Sequence, residues 1–401
     1  MTRRLLLFAA AAVAVPLLLA AVRPPKSSRY LVVWAMQARH PHAQFTFIPG
    51  GETKLGLARD FLAVYSVSPG SKSFGKLVGF LPAGQAAMAH HANYAMPPND
   101  ILYTNDYLAN RTDVFNLQNP RHPRLLRQFR GEAGFSYPHS FAYLPGGDTL
   151  ATFQFASAWG RAPGGLVEFA PRGRVVRSRS AAAAGHPHAY PYSLAAVPSL
   201  NRVVTGTMGM TPAVPGSHTV QIWRLSDLTL LTTLVLPGGA MDANEPRVLA
   251  DGKTVVVPTD HCDLFLLHRL DSPHPSLQHI YRFSGDKCGV PIVVDNYLLE
   301  PSMLGHAIVS LDMSHPEHPR PAGEIVFPPR ELPHWLAVEP GGNRIAITGY
   351  GSMITKVLFA QINRRTGQLR LLTQALDLSA RHWPDGWDGS AIPHAAVFSN
   401  Q

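Results

Sequence analysis

Histidine recurs along this chain at a near-fixed interval, and at five of these places it opens a short apolar segment. The segments are His90-His91-Ala-Asn-Tyr-Ala-Met, Pro138-His139-Ser-Phe-Ala-Tyr-Leu and Pro187-His188-Ala-Tyr-Pro-Tyr-Ser. Two more follow, Pro333-His334-Trp-Leu-Ala-Val and Pro393-His394-Ala-Ala-Val-Phe. An apolar core has no need of imidazoles in register over three hundred residues. A metal centre does, because neutral imidazole nitrogens bind copper, zinc, iron or nickel. His90, His91, His139, His188, His334 and His394 are therefore candidate metal ligands. No thiolate accompanies them at ligand spacing, a set compatible with copper or zinc. His90 and His91 are adjacent and would face opposite sides of a regular strand, so both can ligate only at a strand start or a bulge. Glu245 stands close to the same slot in a segment without histidine. It is a candidate second-shell acceptor for an imidazole or proton acceptor for a substrate, with an ion pair to Arg247 as the alternative.

The elements that would bring these residues together are legible as a repeat. From Pro138, an apolar segment leads to Pro145-Gly146-Gly147-Asp148, then Thr149–Gln154, Gly165–Phe169 and Gly173–Arg179. From Pro333, the same order runs through Arg344–Gly349, Lys356–Asn363 and Gln368–Thr373. Each unit reads as four short strands separated by turn signals. Unit starts at 91, 139, 188, 245, 291, 334 and 394 are spaced 48, 49, 57, 46, 43 and 60 residues apart. Seven four-stranded units at this period predict an all-β, seven-bladed β-propeller. The last start leaves room for one strand only, Ala395–Ser399, while Tyr30–Met36, Phe61–Val67 and Lys76–Leu81 belong to no unit. Both ends are thus expected to share one blade, which closes the ring and removes its open edges. The first strand of each blade would be innermost, with the histidine slots at one mouth of the central channel.

Composition agrees with such a body. The chain has 401 residues, 46% hydrophobic and only 15% charged, with 33 Gly and 36 Pro concentrated between apolar runs. The net charge of +9 is spread over basic stretches such as Arg121–Arg130 and Arg172–Arg179. These lack the aromatic interleaving of a nucleic-acid surface. No Gly-x-Ser-x-Gly elbow or phosphate loop occurs, so nucleophile-elbow hydrolysis is disfavoured. Residues 1–25 stand apart. Arg3-Arg4 precedes an uncharged run from Leu5 to Val22, which predicts a signal peptide or membrane anchor ahead of a propeller domain at 26–401. The body is then expected to be exported, periplasmic or extracellular, and to touch a membrane only through that segment. Cys262 and Cys288 show no zinc spacing. A disulfide joining the fourth unit to the fifth is one reading, and a thiolate offered to the metal is the other.

At these residues the chain resembles the selenium-binding protein family, whose bacterial members include methanethiol oxidase. The matching segments are Asp60-Phe-Leu-Ala-Val-Tyr-Ser-Val-Ser-Pro-Gly-Ser-Lys-Ser-Phe-Gly-Lys, the His90-His91 pair, Pro138-His139, Glu245-Pro-Arg-Val-Leu, and Trp383-Pro-Asp-Gly through Ile392-Pro-His394. The resemblance implies a seven-bladed propeller with copper held by His90, His91, His139 and His394. It also implies oxidation of a small thiol such as methanethiol by O2. His188 and His334 are additions beyond the family's set, and the cysteine-rich N-terminal segment of its animal members is absent. The alternative is a non-catalytic propeller that binds metal or scaffolds a partner.

Overall fold

A computed structural model describes residues 29–38, 57–85, 88–210, 214–379 and 381–401. The apolar leader expected over 1–25 lies outside them. Among the described residues no helix is long and apolar enough to cross a membrane.

The chain folds as a seven-bladed β-propeller. Six blades are four-stranded antiparallel sheets built from consecutive strands. The first begins with the strand Ala89–Ala92, the second with Phe135–Tyr143 and the third with Pro191–Val197. The fourth begins with Arg247–Val248, the fifth with Ile292–Val294 and the sixth with Glu331–Val338. The seventh blade joins the two ends of the chain, as expected. Its C-terminal strand Asp388–Phe398 pairs antiparallel with Tyr30–Ala38, and Leu57–Ser66 and Leu77–Gln85 complete the blade. The first strands touch one another in sequence around the axis, and Glu331–Val338 meets Asp388–Phe398 to close the circle.

Burial explains why the strands order themselves this way. Ala89–Ala92 and Ile101–Asp106 are buried throughout, whereas the outermost strand Arg124–Arg130 is largely exposed. Inner strands are packed on both faces, and the outer strand carries the charges. Neighbouring blades meet face to face through buried apolar layers, largely aliphatic between the third and fourth blades and aromatic between the first and second. Between the first and second blades, Tyr103, Phe141, Phe153 and Phe169 are buried together. Each such ring contributes roughly 1.5–3 kcal/mol by leaving water. Arg111 of the first blade donates to Asp60 of the seventh and to Asp113, 3.1 Å away, so a buried charge cluster bridges the last blade to the first.

One irregularity recurs in every blade. The inner strand slips register against its partner where the candidate ligands lie. Pairing jumps from Ala89 to Ala92, from Pro138 to Phe141, from Pro333 to Trp335 and from Pro393 to Ala395. The third blade jumps from Pro191 to Leu194. In the fourth and fifth, the pairings Ala243–Thr259 and Cys288–Ser302 precede Arg247–Val256 and Ile292–Leu299. Proline at four of these steps has no N–H to give to the ladder, which favours a bulge there. A bulge turns the skipped side chains off the regular alternation. All the sequence elements needed to point seven sets of side chains at one axis are therefore local.

Candidate metal centre

The bulges bring five imidazoles together. Ring centroids of His90 and His91 stack 4.1 Å apart, with interplanar angle 10°. His139 lies 4.3 Å from His91, His394 lies 4.3 Å from His90, and His334 lies 4.9 Å from His394. The bulge at Ala89–Ala92 is what lets both members of the adjacent pair face the axis. Asn105 fixes it. Its Oδ1 accepts the His91 backbone N–H at 2.6 Å, and its Nδ2 donates to the Pro138 carbonyl at 2.6 Å. One side chain thus locks the bulges of the first two blades to each other.

His188 is not part of this group. It is exposed, with Nδ1 3.3 Å from the Tyr190 hydroxyl. The third blade offers two Pro-ring pairs, Pro187-His188 and Pro191-Tyr192, and the strand begins at the second. Tyr192 therefore takes the third slot, its ring 3.7 Å from that of His139. The expectation for His188 fails through register, three residues upstream of the bulge. Two further residues contribute, Tyr94, for which the sequence favours core packing over a place lining the channel, and Tyr350, which the sequence does not single out. Tyr350 places its hydroxyl 2.8 Å from His394 Nε2, and Tyr94 joins the site through Glu245.

Glu245 lies beside the imidazoles from the fourth blade. Its Oε2 accepts hydrogen bonds from Tyr94 at 2.7 Å, Ser193 at 2.8 Å and Arg247 at 3.0 Å. Its Oε1 has no hydrogen bond and lies 3.8 Å from His91 Nδ1. The ion pair to Arg247 and the approach to His91 thus coexist. Arg247 stacks on the Tyr94 ring, 3.9 Å from its centroid.

The cluster is almost wholly removed from solvent. His334 is 8% exposed and the other four imidazoles are 0–2% exposed. Burial, reinforced at His90, His91 and His394 by neighbouring imidazoles, pushes these rings far below the usual histidine range. Burial also lowers His139, and it brings His334 to about 4. The same burial raises the Glu245 carboxyl, against the pull of Arg247. All five rings are thus neutral near pH 7, the form a metal needs. Among the described residues, His90 Nδ1 and both nitrogens of His91 and His334 have no hydrogen-bond partner. Orphaned buried nitrogens of this kind cost about 1–3 kcal/mol apiece. A bound cation offsets that cost, so the donor set fits a transition metal. His90, His91, His334 and His394 offer ligand atoms mutually within 4.8 Å, and so do His91, His139 and Glu245.

The fifth blade supports His334 from behind. Cys262 and Cys288 are bonded, Cα–Cα 5.1 Å, which ties the fourth blade to the segment Cys288–Val290. Val290 N donates to the His334 carbonyl at 2.7 Å. A Cβ at Gly289 would fall 2.3 Å from that carbonyl oxygen and 2.9 Å from His334 Nδ1. Gly289→Ala is therefore expected to displace His334, to lower stability by roughly 1–3 kcal/mol and to weaken metal retention. Thermal unfolding and metal analysis of the variant check this; an unchanged melt with full occupancy would show that the segment does not set the His334 position.

No protein-family model matches the chain. Methanethiol oxidase of Hyphomicrobium is 23% identical over 224 residues, covering 51% of this chain and 50% of that protein. The chain thus matches about half the length of that relative. A hypothetical selenium-binding protein from Sulfolobus tokodaii superposes with TM-score 0.74 at 14% identity, covering 93% of this chain and 94% of that one. The periplasmic gluconolactonase of Pseudomonas aeruginosa shares the fold more loosely, with TM-score 0.57 at 13% identity, covering 91% of this chain and 99% of that one. The partial sequence match to methanethiol oxidase and the propeller shared with a selenium-binding protein support the resemblance of this chain to that family.

Proposed function

We propose that the chain is an exported, copper-dependent oxidase of a small thiol such as methanethiol. The observation that carries this reading is the buried, neutral, five-imidazole cluster with Glu245 at its side. An all-nitrogen set with one carboxylate suits copper, and zinc is the competing ion. The sequence likeness to methanethiol oxidase supports the substrate class. So does burial, since a site only 8% exposed at its most open imidazole favours a very small molecule. The Cys262–Cys288 bond supports an oxidising compartment.

Copper held there would supply the redox chemistry that links a thiol to O2. The overall reaction balances as methanethiol, O2 and water giving formaldehyde, hydrogen sulfide and hydrogen peroxide. His90, His91, His139, His334 and His394 are the residues available to hold the ion. Glu245 is the candidate carboxylate for accepting the thiol proton or for ligating the ion, and Tyr94, Ser193 and Arg247 hold it through Oε2. Asn105 and Ser140, the latter 3.1 Å from His139 Nδ1, orient the rings.

Oxygen uptake by the copper-loaded protein tests the proposal. One O2 consumed per methanethiol, with sulfide and peroxide formed, is the expected result. Copper retention without any thiol-dependent oxygen uptake would leave a metal-binding propeller and overturn the oxidase reading.

A further inference from the structure

We propose that the axial cluster holds two adjacent metal positions that meet at His91. This rests on the reading of the cluster as a metal centre and adds a site to it. A first-row ion in tetrahedral coordination takes four donors at about 2.0–2.2 Å. The cluster presents six donor residues, two more than one such ion uses. They divide into two groups, His90 with His91, His334 and His394, and His91 with His139 and Glu245. His91 alone belongs to both, and neither of its ring nitrogens has a hydrogen-bond partner.

The two positions differ in kind. The first is a closed set of four imidazoles. The second has three donors and so keeps a coordination place open, the arrangement by which metal sites admit a ligand. Its parts are held independently of the first. Ser140 engages His139 Nδ1 at 3.1 Å, and Tyr192 packs on the His139 ring. Three hydrogen bonds to Oε2 fix Glu245 and leave Oε1, fully buried and unpaired, 3.8 Å from His91 Nδ1. Two donors at that separation suit one ion between them. Glu300 adds a further buried carboxyl within electrostatic reach of Glu245 and Arg247, and neither of its oxygens is hydrogen-bonded. The thiol is then assigned to the open position. When both positions fill, His91 gives one nitrogen to each, and its N–H proton leaves to buffer.

Copper counting by atomic emission, after loading the full chain with Cu(II) and removing free ion, tests this. The wild type is expected to hold two copper ions per chain. Glu245→Gln and His139→Asn are each expected to hold one, and both folds are checked by circular dichroism. Two Cu(II) ions joined through one imidazolate couple their spins, so the wild type should show far less paramagnetic signal than its copper content. Glu245→Gln should show the full signal of its single ion. One copper per wild-type chain with full signal would overturn the second position and leave the single-metal reading intact. Two copper ions in both variants would overturn the assignment of His139 and Glu245. No copper in the wild type would overturn the metal centre itself.

Discussion

His91→Ala should lose nearly all bound metal while the propeller stays folded. The residue sits at the middle of the cluster, with His90 and His139 rings 4.1 and 4.3 Å away and Trp335 at 5.2 Å. It is the one donor common to both ligand groups, so its loss takes a ligand from each group at once. Perturbing residues that merely orient a ligand already costs about 10–100-fold in metal affinity, and removal of this ligand should exceed that. Folding should survive because the substitution removes two unpaired buried nitrogens along with the ring, although it leaves a cavity. Metal analysis with circular dichroism measures both effects. His188→Ala, on the exposed side of the third blade, serves as the matched control and should retain full occupancy. Equal retention by the two variants would dissociate the metal from the axis.

Metal retention should also persist to unusually low pH. An ordinary imidazole titrates near 6.5, so at pH 5.5 protons compete about tenfold at each ligand and on the order of 10⁴ over four. Here burial disfavours the imidazolium, and every cluster histidine is depressed, His334 to about 4. The sign is fixed by this direction. A depressed ring stays neutral and free to bind as pH falls through 6.5, and competition begins only near its own lower value. Dialysis at graded pH should therefore show full occupancy at pH 5.5 and release toward pH 4. Release centred near pH 6.5 would mean that the rings are solvated.

Much of this was readable from spacing. Pro138-His139, Pro333-His334, Pro393-His394 and His90-His91 all mark bulges on inner strands, and their interval counts the blades. Proline is legible because its missing N–H acts locally. The failure at His188 has the same origin. Pro187-His188 and Pro191-Tyr192 satisfy one local rule equally, and a strand that starts three residues later removes the first of them from the axis. Glu245 was visible as a slot without histidine and Arg247 as its ion-pair partner, yet its two hydroxyl neighbours were not. Tyr94 and Ser193 reach it across 151 and 52 residues of chain, distances at which sequence carries no pairing signal.

The residues alone specified seven units, a ring closed by both chain ends, and four proline or paired-histidine steps aimed at one channel. These follow from short-range rules of strand period, turn composition and proline geometry. Tertiary packing selected which donors meet. It stacked His90 on His91, brought His334 against His394 over the disulfide-tied Gly289 segment, and left His188 in solvent. It also turned one oxygen of Glu245 into a hydrogen-bonded anchor and the other toward His91. Those outcomes depend on the angle and register with which separate blades close around the axis, and burial within that closed ring is what keeps the imidazoles neutral and ready for a cation.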